Sequence, residues 1–117
     1  VIGQEMRPDM MINITNDAWF GHSAGPWQHL VQAQIRAVEE GLPLMRVANT
    51  GITAGFDSFG RILGQMELGT QGVLDLPAPP ALPPTLFARF GNLGFFAFIF
   101  LIIVSAAWLD LSRSIRQ

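Results

Sequence analysis

Ile12-Asn13-Ile14-Thr15-Asn16-Asp17-Ala18-Trp19-Phe20-Gly21 reads as the end of a buried strand that breaks into a loop. Met10, Met11, Ile12 and Ile14 make the strand nearly continuously apolar, a pattern that suits a strand covered on both faces. Asn16 and Asp17 then offer short polar side chains that bond neighbouring backbone, and the aromatic pair Trp19 and Phe20 follows at once. Strand ends that open into demanding loops are where α/β folds place binding and catalytic groups, so a site is expected here.

On the N-terminal side, Val1 to Asp9 is a polar connector whose Arg7-Pro8-Asp9 predicts a turn, because Pro8 pushes Arg7 out of helical geometry. Val1-Ile2-Gly3 starts as if in mid-sequence, and a fragment of a longer protein is expected. On the C-terminal side, His22 to Gly25 leads to Pro26, favoured in the first helical turn because it needs no N–H partner there. The spacing predicts a helix over 26–40 that buries Trp27, Leu30, Val31, Ala37 and Val38, with Gln32, Arg36, Glu39 and Glu40 mostly off that face. Gly41 and Pro43 close it. Leu44 to Ala48 is a second strand, Asn49-Thr50-Gly51 a break or bulge, and Ile52–Phe56 with Arg61–Met66 a hairpin turned by Asp57-Ser58-Phe59-Gly60, with Gly60 at positive φ. Gly72 to Leu76 reads as a last short strand. The order β, α, β, hairpin predicts half of an α/β sandwich that an absent partner half would cover.

Five prolines, Pro77, Pro79, Pro80, Pro83 and Pro84, follow, and no helix or central strand accommodates them, so an extended, stiff linker is expected. From Phe90 to Leu109 no residue is charged. As a helix this stretch rises about 30 Å, the thickness of a bilayer's hydrocarbon core. A membrane span is expected, with Trp108 at one interface. Arg113 and Arg116 beyond it outnumber Arg89 on the other side, which places the C-terminus in the cytoplasm. The expected divisions are 1–76, 77–88 for the linker, 89–110 for the span and 111–117 for a short tail.

The composition excludes several classes. Half the residues are hydrophobic, 14% are charged and the formal charge is −2, so no basic stripe serves nucleic acid. The chain contains no Cys, and all its basic side chains other than the two His are Arg. A thiolate or an ammonium, where a mechanism needs one, comes from outside this chain.

Four blocks carry a family resemblance. They are Asn16-Asp17-Ala18-Trp19-Phe20-Gly21, Gly25-Pro26-Trp27-Gln28-His29, Arg36-Ala37-Val38-Glu39 and Asn49-Thr50-Gly51-Ile52-Thr53-Ala54, followed by the Pro-rich stretch and the apolar segment. In order and spacing the chain resembles the C-terminal part of the bacterial apolipoprotein N-acyltransferases, of the nitrilase, or carbon-nitrogen hydrolase, superfamily. The resemblance implies an α/β fold, the C-terminal part of an αββα nitrilase-like sandwich followed by one transmembrane helix. It implies a multi-pass protein of the bacterial inner membrane, with residues 1–76 periplasmic. It also implies a reaction in which a Cys takes a fatty acyl chain from a phospholipid as a thioester and passes it to the α-amine of an apolipoprotein's diacylglyceryl-cysteine.

The partners so implied are the phospholipid donor, the apolipoprotein acceptor, the membrane and the missing N-terminal part of the same protein. No cofactor, no metal and no nucleic acid is expected. The family's Glu, Lys and Cys lie outside this chain, the Cys just before Val1. By the resemblance Trp19 is a pocket aromatic near the reactive thiol and the acyl chain, with Phe20, Asn16 and Asp17 beside it. From the residues alone, Trp19 reads as a core Trp, and Asn16 and Asp17 as groups that shape the loop. His29 has no His or carboxylate at ligand spacing, so it reads as a capping or packing residue. His22 reads as exposed, and Asn49 and Thr50 as groups that satisfy backbone at the bulge. Two other readings stand beside the acyltransferase: a membrane-tethered amidase of the nitrilase superfamily, and a non-catalytic membrane-anchored module.

Overall fold

The computed structural model describes residues 7–114, with side chains described as far as Trp108. Most of the N-terminal connector and the end of the C-terminal tail, including Arg116, therefore lie outside the described residues.

The first strand, β1, spans Met11–Asn16, and helix α1 spans Gly25–Glu40. Strand β2 (Leu44–Asn49) lies parallel to β1, with Met11 opposite Leu44 and Asn16 opposite Asn49. Parallel neighbours need a crossover, and α1 is that crossover. Strands β3 (Ala54–Phe56) and β4 (Ile62–Gln65) follow as an antiparallel hairpin, giving one mixed sheet in the order β1-β2-β3-β4.

The α1 face of the sheet holds the core of Leu30, Ala33, Ala37, Leu44, Ile52, Ala54 and Phe56. The helix buries Pro26, Leu30, Ala33, Ala37 and Glu40, which corrects the expected face. Trp27, Val31, Ile35 and Val38 form a second apolar stripe that stays about half exposed. The small side chains of Ala33 and Ala37 let the helix approach the sheet, and the expected set had mixed the two stripes. The helix ends as its sequence dictates. Gly41 takes the left-handed conformation at φ 66, and its N–H reaches the carbonyls of Ala37 and Val38, a termination glycine accommodates without strain.

The opposite face differs from the expectation of a strand covered on both sides. Along β1 burial alternates, and Ile12 and Ile14 are 68% and 80% exposed. Over β3 and β4 this face is covered by Leu76, whose methyl carbons stand only 2.4 Å and 2.6 Å from where a Cβ would lie on Gly55 and Gly64. Those two glycines make room for a side chain that belongs to no strand. The segment 72–76, expected as a strand, packs through Leu74 and Leu76 without a ladder of its own.

The hairpin turn forms as predicted, with Gly60 at φ 78. Asp57 closes it: Oδ1 accepts the Phe59 N–H at 2.9 Å and the Arg61 N–H at 2.8 Å, while Arg61 Nε donates to Oδ2 at 2.7 Å. Burial alone would raise the Asp57 pKa, but the Arg61 backbone, the Arg61 guanidinium and the Phe59 N–H outweigh it and hold the carboxyl below its ordinary 3.8.

The Pro-rich segment is strapped to the domain. Leu82 N–H bonds the Gly41 carbonyl at 2.9 Å, Ser58 Oγ donates to the Pro80 carbonyl at 3.0 Å, and the Thr85 hydroxyl donates to the Glu39 carbonyl. Thr85 also accepts the Ala88 N–H at 3.0 Å and so caps the short helix α2 (Leu86–Phe90). Helix α3 (Leu93–Ser114) follows after Gly91. The apolar stretch expected as one helix over 89–110 thus begins in α2 and continues in α3. Among the described residues no helix is long and apolar enough to cross a membrane. The α3 side chains from Leu93 to Trp108 are exposed.

Candidate functional site

Because β1 and β2 are parallel and in register, they end side by side, and both open into loops at the same edge of the sheet. Asn16 Oδ1 accepts the Ala18 N–H at 3.1 Å, turning the chain, and takes a second bond from Asn49 Nδ2 at 3.3 Å. The Asp17 N–H bonds the Asn49 carbonyl at 3.0 Å. A single 3-10 turn, Ala18–Phe20, then carries Trp19 outward.

Asp17 goes the other way. Its carboxylate is buried and held by three donors: Arg46 Nη2 at 2.6 Å on Oδ2, and His29 Nδ1 at 2.8 Å and Thr15 Oγ1 at 3.2 Å on Oδ1. A carboxylate oxygen and an unprotonated ring nitrogen would repel at that distance, so His29 Nδ1 donates to Asp17, and Arg46 Nη2, 3.3 Å from the same nitrogen, bonds the carboxylate and not the ring. Arg46, as buried as its partner, spends its remaining donors on Asn13 Oδ1 at 2.8 Å and the Ile52 carbonyl at 3.2 Å. A buried ion pair is tolerable only when its spare donors and lone pairs are satisfied in this way. Gly51 presses on the same carboxylate: a Cβ there would stand 2.5 Å from Asp17 Oδ2. The turn before it strains the backbone, since Thr50 adopts φ 58, which a β-branched residue rarely does.

The four expected site residues therefore divide. Asn16 and Asp17 join the β2 end through Asn49, Arg46 and Gly51. Trp19 is 89% exposed, which sets aside a core placement among the described residues. Phe20, at the end of the 3-10 turn, packs against Gly25 at the start of α1, its ring edge-on to His29 with centroids 5.8 Å apart. His22 is exposed. Beside the strand ends is a hollow of about 560 Å³, lined among others by Val47, Asn49, Thr50, Met66 and Val73.

Two members of this cluster were not read from the sequence. Arg46 interrupts the apolar run Leu44–Ala48 of β2, and a lone Arg in such a run is the signal of a buried partner. His29 does have a carboxylate partner, contrary to the capping or packing role expected of it. That partner is Asp17, on the preceding loop, so no spacing along the helix could reveal it.

Chemically, the cluster holds shape. Both Asp17 oxygens are occupied, which removes it as a free base. Among the described residues no group of His, Cys, Asp and Glu side chains is arranged to hold a metal ion. The carbon-nitrogen hydrolase family model matches residues 3–77. The chain belongs to the carbon-nitrogen hydrolase family. Within that family it is 53% identical over 92 residues to the apolipoprotein N-acyltransferase of Bradyrhizobium diazoefficiens, covering 79% of this chain and 17% of that protein. It is 55% identical over 87 residues to the protein of the same name from Rhodopseudomonas palustris, 74% of this chain and 16% of that one. With the Rickettsia bellii protein of that name the identity is 44% over 103 residues, 87% of this chain and 21% of the other. The chain spans about a sixth to a fifth of the length of these carbon-nitrogen hydrolase relatives.

Proposed function

We propose that this chain forms one wall of the acyl-transfer site of an apolipoprotein N-acyltransferase. The observation that carries the reading is the 44–55% identity to three proteins of that name over 74–87% of this chain. In this reading the four-stranded sheet is part of an αββα sandwich, and the exposed Ile12, Ile14 and Val47 are its inner face. Residues outside this chain supply the Glu, Lys and Cys. The Cys thiolate attacks the phospholipid ester carbonyl, forming a thioester and releasing the lysophospholipid. The deprotonated α-amine of the diacylglyceryl-cysteine then attacks the thioester, forming the amide and returning the thiolate. Trp19, with Phe20, Asn16 and Asp17, lines or shapes the pocket in which the acyl chain and the acceptor meet.

The same proposal places residues 1–76 in the periplasm, the prolines of 77–88 at a boundary and the C-terminus in the cytoplasm. Helix α3 has 22 residues, about 33 Å at 1.5 Å per residue, and the uncharged stretch Phe90–Leu109 suits a bilayer core. That stretch supports reading α3 as the last membrane helix of the complete enzyme.

The test is a chimera in which this chain replaces the matching segment of the Bradyrhizobium relative. Membranes holding the chimera are given phospholipid vesicles and a diacylglyceryl-cysteine peptide. N-acylated peptide is the expected product. Release of ammonia from small amides, with no acylated peptide, would overturn the reading in favour of an amidase.

A further inference from the structure

The geometry points to His29 as a positioning residue that, through its Nδ1–H on the Asp17 carboxylate, holds the Asn16–Gly21 turn and with it Trp19 against the acyl-transfer site. The inference deepens the acyltransferase reading and rests on it for its activity arm alone.

Trp19 has almost no packing of its own to fix it, being 89% exposed. Its position is inherited from the turn, and the turn is held at one end by what holds Asp17. Arg46 grips one carboxylate oxygen from β2, a rigid strand. The other oxygen takes His29 Nδ1 at 2.8 Å and the weaker Thr15 hydroxyl at 3.2 Å. His29 sits on α1, on the far side of the turn, so its bond ties the loop to the helix while Arg46 ties it to the sheet. Its ring also meets Phe20 edge-on at 5.8 Å, the residue next to Trp19, so one imidazole restrains the turn at both ends. Arg46 and Thr15 tie the carboxylate to the sheet alone, and His29 adds the tie to the helix.

Two substitutions separate this role from contact with substrate. Asn places its amide nitrogen where Nδ1 lies, keeping the donor to Asp17 and losing Nε2. Gln places its amide nitrogen where Nε2 lies, keeping that group and losing the donor. Both are made in the chimera described above, with His29→Ala beside them. Amide exchange of the peptide covering residues 15–22 is followed by mass spectrometry, and kcat and KM for the diacylglyceryl-cysteine peptide are measured per folded enzyme. His29→Gln and His29→Ala are expected to speed exchange of the turn about tenfold and to lower kcat/KM about tenfold, whereas His29→Asn restores both to within about twofold of the parent. Unchanged exchange in His29→Ala would overturn the proposal, as would His29→Asn being as impaired as His29→Ala while His29→Gln is active, which would make Nε2 the working atom. Exchange needs no turnover. A parent chimera without acyl transfer therefore sinks the acyltransferase reading while the exchange arm still decides the role of His29.

Discussion

Asp17 and Arg46 show how a buried ion pair is held by the polar groups around it. Each is 1% exposed, and the pair is stable because Asn13, Thr15, His29 and the Ile52 carbonyl saturate what the ion pair leaves over. Arg46→Met strands a buried carboxylate and should cost about 3–5 kcal/mol. Asp17→Asn in the same chain should recover part of that loss, so the double variant is less destabilised than the sum of the two single ones, as a double-mutant cycle on thermal unfolding would measure. Trp19 is the opposite case. Its removal exposes little that was covered, so Trp19→Ala in the full-length chimera should change stability by no more than about 0.5 kcal/mol while lowering acyl transfer about tenfold or more. Wild-type turnover in that variant would reduce Trp19 to a surface aromatic.

At the scale of elements, the strands, the crossover helix and the hairpin were readable because each announces itself locally. Pro26 and Gly41 bracket α1, Asp57 to Gly60 mark the turn, and the apolar runs mark the strands. The buried face of α1 was not readable, since Trp27, Val31 and Val38 are more hydrophobic than the Ala33 and Ala37 that pack on the sheet, and close approach rather than hydrophobicity chose between the stripes. The same limit hid the site's framework. Asn16 and Asp17 could be placed at a strand end, but the partners Arg46 and His29 come from a different strand and a different helix. The hairpin turn offers its own test. Because the fold holds the Asp57 carboxyl below its ordinary value, the stabilisation is present above about pH 3.8 and is lost as pH falls through the lowered value. Arg61 is largely exposed, so its ion pair contributes little and the two backbone N–H bonds carry most of the effect. Asp57→Asn should lower stability at pH 7 by about 1–2 kcal/mol. Thermal unfolding from pH 7 downward should show that gap closing below about pH 3.8, and a gap independent of pH would contradict the assignment.

Among the described residues one face of the sheet is dressed throughout and the other only over β3 and β4. Helix α1 covers one side of the sheet, whereas Ile12, Ile14 and Val47 and the outer stripe of α1 leave large apolar side chains in the open. Soluble domains seldom leave such patches unless something covers them. In the proposed reading the remainder of a longer carbon-nitrogen hydrolase covers them, and bonds from Arg7, Thr85 and Leu82 strap the Pro-rich segment to the domain. The loop from Asn16 to Gly21 then faces chemistry brought by other residues. The direct measurement is the mass of a lipoprotein's N-terminal peptide from cells whose only apolipoprotein N-acyltransferase is the chimera carrying this chain. The account predicts a peptide heavier than its diacylglyceryl form by one fatty acyl group in amide linkage. A peptide that keeps its free α-amine, with the chimera folded and present in the membrane, would contradict it.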